Sequence, residues 1–359
     1  MLEELRKKIN DLDEKIIQLI SERSNVAKEI AREKTTDNSP LYRPAREQEI
    51  YNKIVKLNKG PLDDSSLQNI YREIMSATLK LEGDLKIAYF GPAGSFTHQA
   101  AVKKFGNSVS LIPARDIDEV FDVVQKKEVK YGVVPLENSI EGIVNATLDS
   151  LIAYQLIIYA EIKLSVKHNL LSYCTSLGEL EEILTHPQAY GQCKKWVTRN
   201  VPQAHWRETT STSRAVEIVS KDRSKKIAAI GSSAAALEYG VPILSNNIAD
   251  HQRNFTRFVV VGHDQSTPSG KDRTSIIFTL PHKPGALYGI LRPVFESELN
   301  LTSIESRPNR SELWSYIFYI ELEGHRNDAR IQVIVDKIQS LATSCRVLGS
   351  YPSDITEDI

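Results

Sequence analysis

Arg23 stands where an apolar residue belongs. It falls four residues after Leu19 and three before Val26, on a seam that otherwise reads Leu2, Leu5, Ile9, Leu12, Ile16, Leu19, Val26 and Ile30. A charge on such a face is costly unless it is paired. Arg23 therefore meets either a structural ion-pair partner or an anionic ligand. Lys34 follows eleven residues later, nearly on the same face. The two Cα atoms would be ~16 Å apart, so their long side chains could converge on one small anion. Arg6 lies seventeen residues before Arg23, ~25 Å along a helix. It cannot serve the same ligand from the same chain; any site it belongs to lies on a partner protomer.

Four later segments are unusually polar for their positions. Gly91-Pro92-Ala93-Gly94-Ser95-Phe96-Thr97 follows an apolar run and opens a helical pattern. Backbone N–H groups and hydroxyls at a helix N-terminus favour an anion, although a glycine-rich turn alone is a weak signal. Pro135-Leu136-Glu137-Asn138-Ser139, Thr185 to Gln192, and Asn254-Phe255-Thr256-Arg257-Phe258 also sit at ends of predicted strands. Ligands of open α/β sheets bind at strand ends and between lobes, so these segments can share one cleft. Toward the C-terminus, Pro284-Gly285-Ala286-Leu287-Tyr288 opens a helix and Glu305-Ser306-Arg307-Pro308 ends a strand.

The elements that carry these residues divide into three regimes. Up to Glu82 the chain has one glycine, Gly60, and reads as three helices. The first is long, with its seam spaced alternately by three and four, and breaks at Asp37-Asn38-Ser39-Pro40. The second starts at Pro44, and the third after Asp64-Ser65-Ser66. The exposed seam predicts a helical dimer. From 84 to 262, short apolar runs alternate with helical patterns, which predicts an α/β sheet with helices on its faces. The run Leu156 to Leu171 reads as a crossover between two lobes, and Phe258 to Val261 as the strand that returns. Residues 263–272 read as a polar linker. Strand 275–280, helix 285–296, strands 301–305 and 314–322, helix 329–341 and strand 346–349 then follow the ferredoxin-like order.

Composition excludes several classes. Lys plus Arg is 45 against 46 for Asp plus Glu, so no basic surplus drives nucleic-acid binding. Hydrophobic residues at 41% and charged residues at 25% exclude wholesale disorder and a membrane-embedded chain. Cys174, Cys193 and Cys345 are far apart, so neither a disulfide framework nor a structural zinc site is expected. No apolar signal core opens the chain. The expectation is a reduced, cytoplasmic, multidomain protein without metal or cofactor.

Leu5-Arg6-Lys7-Lys8-Ile9, Leu12-Asp13, Ser21-Glu22-Arg23, Lys34, Pro44-Ala45-Arg46-Glu47-Gln48-Glu49 and Tyr71 to Ser76 together resemble the all-helical chorismate mutase family, over residues 1–83. The resemblance implies an intertwined dimer of three-helix chains in which Arg6 reaches across. It implies that Arg6, Arg23 and Arg46 hold the two carboxylates of chorismate. Glu47 would accept from the ring hydroxyl, Thr78 would line the site, and Lys34 and Glu82 would face the ether oxygen. The rearrangement breaks a C–O bond and forms a C–C bond within one molecule. It needs a held conformer and positive charge near the ether oxygen. Where Glu82 stands, many relatives have glutamine, so Glu82 can donate there only when protonated. Arg43 replaces a residue that is often acidic in the family.

The strings GPAGSFTHQAA, PLENSIEG, HPQAYGQC, STSRA and NFTRF resemble the prephenate dehydratase family over residues 84–264. Ser95, Thr97 and Thr185 each swap one hydroxyl for another against the usual pattern. The resemblance implies two lobes like those of type 2 periplasmic binding proteins, with prephenate between them. Prephenate loses its ring hydroxyl as water and its ring carboxylate as CO2. The hydroxyl-facing group is expected to be Thr256, with Arg257 a carboxylate anchor or an orienter. Ser95, Thr97, Glu137, Asn138, Ser139, Thr185 and Gln192 would bind substrate. His186 is a candidate general acid, with turn capping the alternative; His98 and His251 read as structural or solvated. The Gly285-Ala286-Leu287 and Glu305-Ser306-Arg307 segments resemble the phenylalanine-binding motifs of the ACT domain, over 273–352, with Tyr288 where valine is usual. That implies phenylalanine as an effector; a dimerisation module is the alternative. A homodimer or homotetramer acting on chorismate and prephenate is expected. The rival readings are a non-catalytic binding protein on the same two lobes, and a dehydratase whose helical domain only dimerises it.

Overall fold

The computed structural model describes residues 1–36, 39–222, 226–309 and 315–354, with side chains throughout except at 34–36. The Lys34 side chain and Trp314 thus lie outside the described residues. Three helices open the chain: α1 Leu2–Thr36, α2 Pro44–Leu57 and α3 Asp64–Glu82. Proline's fixed φ suits the first turn of α2. The third helix starts earlier than the spacing predicts. Asp63 is its cap, with a carboxylate oxygen accepting from the Ser66 N–H at 2.6 Å. Along α1, Leu5, Ile9, Leu12, Ile16, Leu19, Val26 and Ile30 are 48–63% exposed in the single chain. The seam is therefore formed but uncovered.

Two α/β lobes follow. Strands β1 Lys86–Phe90, β2 Ser110–Ala114, β3 Tyr131–Asn138, β4 Gly142–Ile143 and β5 Ile157–Ser165 belong to the first, with helices α4 Phe96–Phe105, α5 Ile117–Gln125 and α6 Asn145–Ala153. The second holds β6 Asn169–Leu171, β7 Glu182–Thr185, β8 His205–Glu208, β9 Ile227–Gly231 and β10 Ile243–Ser245, with α7 Pro187–Asn200, α8 Thr212–Lys221 and α9 Ser233–Tyr239. The chain crosses between lobes after β5 and returns as β11 Phe255–Gly262, which pairs antiparallel between β3 and β5. The first sheet therefore reads β2-β1-β3-β11-β5 and the second β10-β6-β9-β7-β8. Strand β9 is wholly buried, as a central strand covered by helices must be.

The last part runs β12 Asp272–Thr279, α10 Ala286–Glu296, β13 Leu301–Pro308, β14 Tyr316–Glu323, α11 Ala329–Leu341 and β15 Ser344–Pro352. Its sheet is antiparallel in the order β13-β14-β12-β15. Three strands run longer than their apolar cores predict, because pairing extends β13 to Pro308–Tyr316 and both β12 and β15 to Asp272–Pro352.

This part is packed on the first lobe, although the composition of 263–272 reads as a polar linker. Within 263–272, Asp264 accepts from the Tyr131 hydroxyl at 2.6 Å and pairs with Lys130 at 2.8 Å. Ile277, Tyr319, Leu348 and Tyr351 share one buried cluster with Phe121, Ile158 and Val259 of the first lobe. Gly349, at φ +149°, lies so close to Ile158 that an added Cβ would collide with its carbonyl. Cutting near residue 270 would open the first lobe's core.

Candidate functional sites

Asn138 and Thr256 are direct register partners across β3 and β11. The Asn138 Nδ2 donates to Thr256 Oγ1 at 2.8 Å, to Asn254 Oδ1 at 2.8 Å and to the Phe255 carbonyl at 3.2 Å. Its Oδ1 accepts from the Ile140 and Glu141 N–H groups, which fixes the amide orientation. Because Asn138 donates to Oγ1, the Thr256 hydroxyl keeps its own hydrogen for another acceptor. From the second lobe, Gln192 on α7 meets this cluster. Its Oε1 accepts from Asn254 Nδ2 at 2.9 Å and lies 3.0 Å from His168 Nε2, and its Nε2 donates to Glu141 at 2.7 Å. Gln188 also donates to Glu141. Burial pushes the pKa of His168 down, so the ring is held neutral.

The lobes touch again at the glycine-rich turn. Gly94 adopts φ +75° and lies so close to α9 that a Cβ would sit 2.8 Å from the Cα of Ala235. The hydroxyls of Ser232 and Tyr239 donate to the carbonyls of Gly94 and Ala93. Ser95 caps α4, accepting from the His98 N–H at 3.1 Å, and Thr97 is buried beside it. Ser139 accepts from the Phe255 N–H at 3.0 Å and so ties the cleft loop to β11. The Thr185 hydroxyl is wholly buried and donates to the Ile230 carbonyl, so it supports the second sheet. The His186 ring caps α7, the capping alternative of the sequence reading.

Successive residues of a strand face opposite ways, and Arg257 and Glu137 point away from Thr256 and Asn138. Arg257 pairs with Glu137 at 2.7 Å, Glu161 at 3.0 Å and Glu321 at 2.8 Å, the last from the C-terminal sheet. It orients β11 against three other strands, β3, β5 and β14, which fits the orienter alternative and not a direct carboxylate anchor. Burial alone would lower its pKa, but Glu161 and Glu321 outweigh burial and hold it charged. Burial also pushes Glu321 upward, yet Arg257 and the hydroxyls of Tyr351 and Tyr319 bring it down to about 2. For Glu161, burial outweighs Arg257 and Arg273 and the pKa rises. A depressed carboxyl stabilises above its unfolded value of ~4.3 and loses that contribution as pH falls toward its folded value. A raised one does the reverse. Glu321→Gln is thus expected to lower Tm at pH 7.5 by about 5 °C or more, and Glu161→Gln by much less. The Glu321→Gln deficit should shrink below about pH 4. Equal losses for both variants at pH 7.5 would place the charge differently.

In the helical part, Arg23 Nη1 lies 3.3 Å from Thr78 Oγ1 and donates to it, and Thr78 donates onward to the Ile74 carbonyl. Glu47 is buried at 8% exposure and pairs with Lys104 at 2.8 Å. Arg46 is exposed and pairs with Glu49. Glu82 ends α3 and is half-buried. Arg6 is exposed at the far end of α1 and does not join these residues within the chain. In the C-terminal part, Gly285 is the left-handed cap of α10, followed by Ala286 and Leu287 in its first turn. Glu305, Ser306 and Arg307 lie on edge strand β13, and Arg307 forks onto both oxygens of Asp149 on α6 at 2.8 and 2.9 Å.

Asn254, His168 and Glu141 escaped the sequence reading as site residues. Asn254 stood inside the NFTRF string and could have been found there. Glu141 stood inside the PLENSIEG string and could have been found there in the same way. His168 is a lone histidine in the crossover, without local signal. Among the described residues no group of three or more His, Cys, Asp or Glu side chains could hold a metal ion, and no helix is long and apolar enough to cross a membrane.

Residues 5–83 match the family described as chorismate mutase type II, and residues 87–266 that described as prephenate dehydratase. The bifunctional chorismate mutase/prephenate dehydratase of Aquifex aeolicus is 41% identical over 99% of this chain and 99% of its own length. That of Escherichia coli K12 is 31% identical over 98% and 96%. Among solved structures, a prephenate dehydratase of Arthrobacter aurescens in complex with L-Phe is 31% identical with a TM-score of 0.70, covering 75% of this chain and 90% of that one. A structure described as a quorum-quenching acylase has a TM-score of 0.69 at 26% identity, over 75% of this chain and 98% of that one. One fold can host more than one chemistry, so it is the full-length likeness, helices included, that decides. The chain belongs to the bifunctional chorismate mutase/prephenate dehydratase family.

Proposed function

We propose that the two reactions run at two separate sites, with the Asn138–Thr256 contact in the interlobe cleft as the observation that carries the dehydratase assignment. Prephenate sits between the lobes. Thr256 donates its free hydrogen in a hydrogen bond to the departing ring hydroxyl, which takes up one proton from solvent and leaves as water. The C–CO2 bonding pair passes into the ring, and aromatisation drives the step. Asn138, Gln192 and Ser139 position the substrate, with Ser95 and Thr97 at the turn beside it. Arg257, Glu137 and Thr185 support these groups from behind.

Chorismate is held in the helical part by Arg23 and Arg46 of one protomer and Arg6 of its partner. Glu47 takes the ring hydroxyl, and Lys34, Thr78 and Glu82 line the ether-oxygen side. The uncovered α1 seam supports an intertwined dimer, since Arg6 reaches the site only from a second chain. The units are 1–83 for the mutase, 84–264 for the dehydratase, in two lobes of the type 2 periplasmic binding protein kind, and 273–352 for a ferredoxin-like ACT domain. Phenylalanine binds at Gly285-Ala286-Leu287 and Glu305-Ser306-Arg307 and inhibits the dehydratase in the cytoplasm. The L-Phe complex of the Arthrobacter aurescens protein supports this. So does the Arg307–Asp149 fork, which joins the effector segment to the dehydratase lobe.

Assaying chorismate and prephenate turnover on purified full-length protein, with and without phenylalanine, tests the reading. Both activities are expected, and phenylalanine should lower prephenate turnover through a coupling of ~1–3 kcal/mol, roughly 5- to 150-fold in affinity. A protein that binds prephenate without turning it over would support the non-catalytic rival. Absent mutase activity would leave the helical part a dimeriser.

A further inference from the structure

Tyr42 lies in the loop before α2, yet its ring is buried in the dehydratase lobe. It stands 4.9 Å from the ring of Phe105 and 5.9 Å from those of Tyr131 and Tyr159. The Tyr159 hydroxyl donates to the Tyr42 carbonyl at 2.6 Å. From this anchored position the Tyr42 hydroxyl donates to Glu47 Oε2 at 2.9 Å. Lys104, in the last turn of α4, places Nζ 2.8 Å from the same oxygen. The Glu47 side chain is 9% exposed and Lys104 19%, so water screens this pair poorly. Among the described residues, the other oxygen, Oε1, meets the Tyr51 hydroxyl at 3.4 Å.

We propose that Lys104, a residue of the dehydratase lobe, is a positioning residue for the mutase reaction. It holds the Glu47 carboxylate by one oxygen and leaves the other for the substrate's ring hydroxyl. This rests on the assignment of Glu47 to the chorismate site. The ammonium does two things. It fixes the rotamer of a carboxylate that would otherwise swing within its pocket. It also balances the Glu47 charge beside a site that must accept a dianion. The mutase site is then incomplete without the dehydratase lobe, although the two reactions share no substrate-binding group.

The test is Lys104→Met in the full-length protein, with both activities measured. Chorismate kcat/KM should fall by about tenfold to a hundredfold, the cost of displacing a positioned group, with prephenate turnover unchanged. Lys104→Arg should restore most of the loss. In a Glu47→Gln background, Lys104→Met should cost nothing further, since the group it positions is gone. If Lys104→Met fails to fold, Tyr42→Phe keeps the buried ring, removes the other donor to Oε2, and should show a smaller loss of the same selectivity. The proposal is overturned by wild-type chorismate turnover in Lys104→Met, by equal loss of both activities, or by the same loss in the Glu47→Gln background. Should Glu47→Gln itself leave chorismate turnover intact, the assignment of Glu47 fails first, and the proposal falls with it.

Discussion

Thr256→Val is expected to lower prephenate turnover by about 10²- to 10⁴-fold, the range a positioned proton donor contributes, while chorismate turnover stays at the wild-type level. Valine matches threonine in shape and suits a strand, so β11 and its pairing with β3 and β5 should persist. Asn138 loses one acceptor but keeps Asn254 Oδ1 and the Phe255 carbonyl, so the amide stays in place. What disappears is the one hydroxyl hydrogen that Asn138 leaves unused. Steady-state kinetics on both substrates, with thermal unfolding as the control, reads the result. The loss should fall on kcat more than on KM, because the departing hydroxyl needs the hydrogen bond most in the transition state. Near-normal prephenate turnover in folded Thr256→Val would remove Thr256 from the chemistry.

Arg23→Ala is expected to do the reverse, lowering chorismate turnover by about 10²- to 10³-fold with prephenate turnover intact. Arg23 is a charge set among apolar seam positions, and within the chain its Nη1 meets the neutral Thr78 hydroxyl. No carboxylate answers it in that contact, which fits a substrate carboxylate as its counterion. Arg23→Lys should recover only part of the activity, since a single ammonium cannot reproduce a bidentate fork. A variant that loses both activities equally would argue for one shared site or a collapsed fold. Unchanged chorismate kinetics would make Arg23 a structural residue of the seam.

Local patterns made much of this protein legible. The three-and-four spacing of α1, Pro44 at the start of α2, and the four polar strings at strand ends each depend on neighbours a few residues away. The same is true of Arg23, which stands out because everything around it in the seam is apolar. Asn138 and Thr256 were legible separately, as polar residues at the ends of apolar strands.

Their contact was not, because only the antiparallel return of β11 makes them register partners 118 residues apart. The direction of Arg257 was settled in the same way. Its neighbour's role at the cleft says nothing about the opposite face of the strand, where Glu321 arrives from a different sheet. Alternation reports that a face is covered, and only docking shows what covers it. The polar composition of 263–272 suggested a free tether, yet Asp264 and the buried tyrosines of β14 and β15 bind the C-terminal sheet to the first lobe. Periodicity and turn chemistry are properties of a short stretch of chain. Lys104 on Glu47, and Tyr42 within the dehydratase core, belong to the packing of one element against another, whose register no short stretch encodes.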